Sequence, residues 1–180
     1  MGHIDRRTLL AASTIILAAG VTRKLHAAGA PDLSGFQPGA PAAPPDFHFV
    51  LPDGTERHLS DYAGQGVVLN FWATWCIPCV AEMPALDEAA RALAANRIAV
   101  LPLSSDRGGA KAVERFYAER GITTLPILLD PRGEAARAFA AKGIPTTVLI
   151  DRAGQDRGRM EGAVDWASEG SLKALRALFG

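Results

Sequence analysis

The sequence feature that most constrains the fold is a pair of cysteines placed directly after an apolar run. Residues 67–72 read VVLNFW, and the only two cysteines of the chain follow at Cys76 and Cys79 in the stretch TWCIPC. A short, nearly continuous apolar run is typical of a strand that is covered on both faces of a sheet. The cysteines are therefore predicted to lie where a buried strand passes into its next element.

A helix is predicted to follow, from about Cys76 to Ala95. Its apolar residues recur three or four positions apart and so share one face: Val80, Met83, Leu86, Ala90 and Leu93. Pro84 lies within this stretch and lacks the N–H that would bond to Val80, so a kink is expected there. Cys76 is thus placed at a helix N-terminus, with Cys79 one turn further along the same face.

Two cysteines separated by two residues suit three roles: half of a metal site, a structural cross-link or a redox couple. A structural zinc site needs four ligands, but the chain has no other cysteine and all four of its histidines precede Cys76. A disulfide across two residues closes a very small loop and removes little entropy from the unfolded chain. Neither metal binding nor stabilisation accounts well for the placement.

A redox couple accounts for it better. The partial positive charge and free N–H groups at a helix N-terminus favour the thiolate form of Cys76. Residues three apart on a helix are close enough for a disulfide with modest adjustment. We therefore expect Cys76 to attack as the nucleophile and Cys79, one turn inside, to resolve the mixed disulfide.

The region from residue 46 to residue 180 is predicted to be one α/β domain. Strand-like apolar runs at 47–51, 67–72, 98–103, 127–129 and 146–150 alternate with helical patterns at 76–95, 110–120, 131–142 and the C-terminus. This alternation predicts a largely parallel central sheet flanked by helices. The residues from Thr146 to Glu161 are predicted to form a hairpin that adds an antiparallel edge.

Residues 1–27 are predicted to be an export signal or an N-terminal membrane anchor. A basic head at Arg6 and Arg7 precedes an apolar stretch from about Thr8 to Val21, which is shorter than the ~20 apolar residues of a comfortable membrane span. The arginine pair resembles a twin-arginine signal, although Asp5 stands where Ser or Thr is usual. The expected location is the periplasm, with a possible tether to the inner membrane.

Residues 28–45 are rich in Pro, Ala and Gly and are predicted to be a linker, because such a stretch buries too little apolar surface to fold. The whole chain has 19 basic and 19 acidic side chains. This balance provides no basic surface field to attract nucleic acid, so a nucleic-acid-binding role is not expected.

Three motifs give the chain a resemblance to a known family. The stretch NFWATWCIPCVAEMPAL, with LSDYAG upstream and GIPTTVLID downstream, resembles the TlpA/ResA-like membrane-associated thiol–disulfide oxidoreductases of the thioredoxin superfamily. The similarity runs from about Phe47 to the C-terminus. It implies a thioredoxin-like fold with a central mixed β-sheet flanked by helices. It also implies no cofactor beyond a redox-active disulfide between Cys76 and Cys79.

The resemblance implies roles for residues on both sides of the cysteine pair. Pro145 matches the cis-proline that faces the cysteines in the family and exposes the backbone of Ile144 for strand-like pairing with a substrate. Trp75 is expected to line the surface on which a peptide docks. Trp72 is interpreted as either flanking the site or belonging to the core, and Trp166 as a packing residue.

Glu82 matches the acidic residue that follows the cysteine pair in many relatives. A buried carboxylate three positions after Cys79 would have a raised pKa and could take the proton from Cys79 as it attacks. Asn70 stands where thioredoxins carry a buried aspartate. This departure removes the aspartate as a proton acceptor and favours Glu82 in that role. It leaves Asn70 open as a hydrogen-bonded structural residue.

The function implied is a periplasmic reductase of protein disulfides, for example in apo-cytochrome c or in copper-delivery and oxidase-assembly proteins. The implied electron donor is a membrane protein of the CcdA/DsbD type. The uncharged insert Ile77-Pro78 does little to stabilise a thiolate, which favours a reductase over a strong oxidant.

Two alternatives remain: a thiol peroxidase of the same superfamily, and a non-catalytic thioredoxin-fold chaperone or metal carrier. Peroxidases of this kind need Thr or Ser three residues before the reactive cysteine, whereas Thr74 is two before Cys76.

Overall fold

The computed structural model describes residues 33–180. The predicted export signal or anchor, and the first part of the predicted linker, lie outside the described residues. From residue 33 onward, no helix is both long enough and apolar enough to cross a membrane. The export signal or anchor and the domain boundaries drawn from it stay predictions.

Between residues 33 and 180 the chain forms one sheet and four α-helices. The strands are β1 (Gln37–Ala42), β2 (His48–Val50), β3 (Glu56–His58), β4 (Gly66–Trp72), β5 (Ile98–Ser104), β6 (Leu128–Leu129), β7 (Thr146–Ile150) and β8 (Asp156–Glu161). The helices are α1 (Ile77–Leu93), α2 (Ala110–Arg120), α3 (Glu134–Ala138) and α4 (Glu169–Phe179).

The strands form a mixed sheet in the order β1-β8-β7-β4-β5-β6-β2-β3. Only the β4–β5 and β5–β6 pairs are parallel, whereas β4–β7, β7–β8, β1–β8, β2–β6 and β2–β3 are antiparallel. The prediction of a mixed sheet is confirmed. The expectation that it is largely parallel is wrong, because only two of the seven strand pairs are parallel and β7 lies antiparallel to the central strand β4.

The central strand β4 separates two apolar cores, which is why all seven of its residues are buried. Alternate side chains of a strand point to opposite faces of the sheet. Val68 and Trp72 pack in a cluster with residues of α1, α2 and α4. Val67, Leu69 and Phe71 pack in a second cluster with β2, β6 and α3. The run VVLNFW is therefore apolar because both of its faces are covered.

Part of the predicted linker is a strand. Residues 37–42 form β1, which pairs antiparallel with β8 at the edge of the sheet. All six residues are exposed, so β1 is held by backbone pairing and buries little apolar surface. Its prolines are tolerated because an edge strand needs hydrogen bonds on one side only. Residues 37–42 of the predicted linker are thus an edge strand of the sheet.

Gly158 explains how β1 can approach β8 so closely. Its φ of +130° is one that side-chain-bearing residues rarely adopt. A Cβ at this position would clash with the carbonyl oxygen of Gln37 on β1. The absence of a side chain at Gly158 therefore lets the edge strand pair.

Candidate active site

The two cysteines are joined in a disulfide at the N-terminus of α1. Their sulfurs are 2.09 Å apart and their Cα atoms 5.2 Å apart. Cys76 is the N-cap residue, and its sulfur accepts a hydrogen bond from the backbone N–H of Cys79 at 3.3 Å. Pro78 lies in the first helical turn, where its missing N–H costs no helical bond. Helix α1 therefore begins one residue later than predicted, and Cys76 caps it.

The cysteines are unequally buried, in the predicted order. Cys76 retains 6% of its surface and Cys79 none, whereas Trp75 and Ile77 are 67% and 82% exposed. These two are the only large apolar side chains of the described residues that are so exposed. Cys76 is therefore the more accessible sulfur of the pair, and its two neighbours in the chain are exposed apolar side chains.

Ile144 and Pro145 lie opposite Cys76, as the resemblance implies. The peptide bond between them is cis, and the carbonyl oxygen of Ile144 is 3.6 Å from the sulfur of Cys76. Ile144 is half-buried and Pro145 is buried. The backbone at Ile144 thus borders the disulfide at the start of β7.

Trp75 lines an open depression at the surface. The depression has a volume of about 520 Å³, and its lining includes Arg107, Gly108 and Arg132. Trp72, by contrast, is fully buried and stacks on Tyr117 with ring centroids 6.1 Å apart. The structure therefore places Trp75 at the surface of the site and Trp72 in the core.

Glu82 lies one turn beyond Cys79 on α1 and is buried, with 3% of its surface exposed. One carboxylate oxygen accepts a hydrogen bond from the side-chain amide of Asn70 at 3.0 Å. The other accepts two, from the backbone N–H of Val164 at 2.9 Å and from the indole N–H of Trp166 at 3.0 Å. Three donors from distant parts of the chain thus converge on one carboxylate.

The pKa of Glu82 is raised from 4.5 to about 7. The largest cause is burial, which disfavours the charged form. The hydrogen bonds from Val164, Asn70 and Trp166 act in the opposite direction and lower the pKa. Burial outweighs them, so this carboxyl group exchanges its proton near neutral pH, which is the range that general acid–base chemistry requires.

Asn70 connects Glu82 to the sheet. It is fully buried in β4, and its amide nitrogen also donates to the hydroxyl of Thr147 on β7 at 2.9 Å. Its amide oxygen is buried without a hydrogen-bond partner. Asn70 is therefore a hydrogen-bonded structural residue, a role that the sequence left open, and one of its partners is Glu82.

Sequence reasoning missed Val164 and Trp166 as neighbours of Glu82. Trp166 was interpreted as packing, and it is fully buried, but its indole N–H also donates to the carboxylate. A signal was available, since a buried indole N–H normally finds an acceptor. The acceptor itself could not be named, because it lies 84 residues earlier in the chain.

The described part of the chain contains no cluster of three or more potential metal ligands. His48 and His58 face each other across β2 and β3, at the far edge of the sheet, with ring centroids 6.2 Å apart. Three strands, β4, β5 and β6, lie between that edge pair and β7, which begins directly after Pro145. The expectation that the site uses no metal or cofactor stays a prediction.

Comparison with known proteins agrees with this architecture. Residues 40–156, more than half of the chain, match the model of the AhpC/TSA family. The chain is 39% identical over 111 residues to the thiol-disulfide oxidoreductase ResA of Geobacillus kaustophilus, covering 62% of this chain and 63% of the relative. It is 38% identical over 122 residues to the thioredoxin-like protein YneN of Bacillus subtilis, covering 67% and 69%.

A solved structure shows the same fold. A putative thiol:disulfide interchange protein DsbE from Chlorobium tepidum superposes with a TM-score of 0.64 at 28% identity, over 79% of this chain and 97% of the other. The predicted thioredoxin-like fold and the ResA-like resemblance are confirmed. The chain spans just under two thirds of the length of the ResA relatives that it matches.

Proposed function

Because the chain belongs to the AhpC/TSA family and has a thioredoxin-like fold, we propose that it is a thiol–disulfide oxidoreductase that reduces protein disulfides. The observation that carries this proposal is the Cys76–Cys79 disulfide at the N-terminus of α1, with Cys76 toward the surface. The buried carboxylate of Glu82, one turn behind it, supports the same chemistry.

In the first step the reduced protein attacks through Cys76. The thiolate is stabilised by the N-terminus of α1 and by the backbone N–H of Cys79. It attacks one sulfur of the partner's disulfide, the partner's S–S bond breaks, and the partner's other sulfur leaves as a thiolate that takes a proton from water. A mixed disulfide between Cys76 and the partner results.

In the second step Cys79 resolves the mixed disulfide. Glu82, as a carboxylate, accepts the proton of the Cys79 thiol, and the resulting thiolate attacks the sulfur of Cys76. The bond between Cys76 and the partner breaks, and the partner's second sulfur leaves as a thiolate. Two electrons have then passed to the partner, and Cys76 and Cys79 are again joined as in this structure.

The oxidised protein needs a dithiol donor to return to its reduced form. We propose a membrane donor of the CcdA/DsbD type, acting in the periplasm, with apo-cytochrome c or copper-delivery and oxidase-assembly proteins as substrates. Support comes from the basic and apolar pattern of residues 1–27 and from the relatives that are named thiol-disulfide oxidoreductase.

Capture by a resolving-cysteine variant tests the proposal. Cys79→Ala removes the second step, so the variant is expected to accumulate mixed disulfides with insulin and with cellular partners, which are visible on non-reducing gels. Cys76→Ser is the matched control and should capture nothing. If both variants reduce insulin at the wild-type rate, the two cysteines do not carry the activity and the redox proposal fails.

The direction of electron flow is tested by the reduction potential. The insert Ile77-Pro78 has no charge to stabilise the thiolate, so the potential is expected nearer the ~−270 mV of thioredoxin than the ~−120 mV of a strong oxidant. Equilibration with glutathione or dithiothreitol buffers measures it. A value above about −180 mV would identify an oxidant or isomerase instead.

A further inference from the structure

The loop that follows β5 is bonded to the turn that carries Cys76. This turn, residues 73–76, connects the end of β4 to the start of α1. From the loop, the backbone N–H of Ser105 donates to the carbonyl oxygen of Trp72 at 3.0 Å. The hydroxyl of Ser105 donates to the same oxygen at 3.3 Å. The loop is therefore attached to the point where β4 ends.

The carboxylate of Asp106 makes the main attachment. One oxygen accepts from the hydroxyl of Thr74 at 2.6 Å, and the other accepts from the backbone N–H of Thr74 at 2.9 Å. The second oxygen also accepts from the hydroxyl of Ser104 at 2.8 Å. Asp106 is 4% exposed, so three donors satisfy a carboxylate that water hardly reaches.

The bonds within the turn carry this attachment to Cys76. The backbone N–H of Cys76 donates to the carbonyl oxygen of Ala73 at 3.1 Å, and Ala73 is fully buried. Thr74 lies between these two residues. In the described part of the chain, Thr74 is the one residue of this turn that is hydrogen-bonded to a side chain elsewhere, that of Asp106. The hydrogen bonds of Cys76 are to backbone atoms.

We propose that Asp106 is a positioning residue that holds Cys76 in line for attack, acting through the hydroxyl and N–H of Thr74. The inference rests on the redox function proposed above for Cys76. The two hydrogen bonds between Asp106 and Thr74, here called the clamp, fix the turn. The Cys76 sulfur therefore stays beside the carbonyl of Ile144 and the N–H of Cys79. A small displacement of a reacting atom lowers the reaction rate strongly, because the attacking sulfur must approach in line with the disulfide bond.

The test uses a matched pair at Thr74, because changing Asp106 would leave a buried site unfilled and risks loss of folding. Thr74→Val removes the hydroxyl at nearly constant volume, whereas Thr74→Ser retains it. With Thr74→Val, kcat/KM for insulin reduction is expected to fall about tenfold through kcat, with KM nearly unchanged. With Thr74→Ser it should stay within about twofold of the wild-type value.

Alkylation of Cys76 in the reduced protein by iodoacetamide is a second readout that needs no protein partner. At neutral pH it should slow several-fold in Thr74→Val and recover in Thr74→Ser, because loosening of the turn removes the sulfur from the donors that favour its thiolate. Thr123→Val is the matched control, since Thr123 is exposed, and it should alter neither rate.

These measurements separate the inference from the proposed function. If Thr74→Val is folded by circular dichroism and has wild-type kcat/KM and alkylation rates, the positioning role is overturned while the reductase stands. Equal impairment in Thr74→Val and Thr74→Ser also overturns it, since the hydroxyl is then irrelevant. If the wild type does not reduce insulin but Thr74→Val is still alkylated more slowly than Thr74→Ser, the reductase proposal fails and the positioning role stands.

Discussion

Replacement of Glu82 with glutamine is expected to slow the resolution of a mixed disulfide by Cys79 about a hundredfold, which is the lower end of what a general base contributes. Glutamine has nearly the same volume but cannot accept the proton of the Cys79 thiol. The rate is measured by stopped flow, as the release of the second equivalent of thionitrobenzoate after reduced protein reacts with dithiobis(nitrobenzoate). The first equivalent, which reports attack by Cys76, should be released at nearly the wild-type rate.

The wild-type resolution rate should also rise with pH through about 7, where the carboxyl of Glu82 loses its proton. Glu82→Gln should lack this step. Glu88→Gln is the matched control, because Glu88 is exposed on the same helix. Equal rates and equal pH profiles in all three proteins would remove Glu82 from the mechanism.

The stability of the oxidised protein is expected to fall as pH rises, more steeply than that of Glu82→Gln. The pKa of Glu82 is 4.5 when unfolded and about 7 when folded, so the folded state holds the proton more tightly. The stabilisation is fully present below about pH 4.5 and is lost as pH rises through about 7. A rise in the pKa from 4.5 to about 7 corresponds to about 3 kcal/mol of folding free energy.

Urea unfolding with the disulfide intact measures this at about pH 4 and about pH 8. The other carboxyl groups titrate in both proteins, so the difference between wild type and Glu82→Gln isolates the one side chain. The wild type should lose about 3 kcal/mol more than the variant over this range. Parallel losses in the two proteins would show that the carboxyl of Glu82 titrates normally in the folded state.

The sequence predicted the parts of the site that lie close together in the chain. Because a strand covered on both faces is nearly continuously apolar, Val67–Trp72 located β4, and the spacing of Cys76 and Cys79 located the start of α1. These two predictions depend on local pattern, which a sequence records directly. Pro145 is distant in the chain, and only the family resemblance carried by the Gly-Ile-Pro-Thr motif placed it opposite the cysteines.

Contacts between distant residues could not be predicted in the same way. The donors to Glu82 at Val164 and Trp166 follow it by 82 and 84 residues, and nothing in either stretch names the other. Strand β1 was missed for a different reason: it is held by backbone pairing with β8, so its side chains show no pattern of burial. The clamp between Thr74 and Asp106 also joins two segments that only the sheet brings together.

The carboxylate of Glu82 also has a mechanical consequence. Through Val164 and Trp166 it fastens helix α1 to the segment that leads into α4, and hydrogen bonds to a charged acceptor are roughly twice as strong as those to a neutral one. In the proposed reaction, a proton that Glu82 takes from Cys79 would therefore weaken these hydrogen bonds, and loss of that proton would strengthen them. The proposed reaction would in this way couple the segment before the C-terminal helix to the state of the cysteines, although that segment contributes no atom to their chemistry.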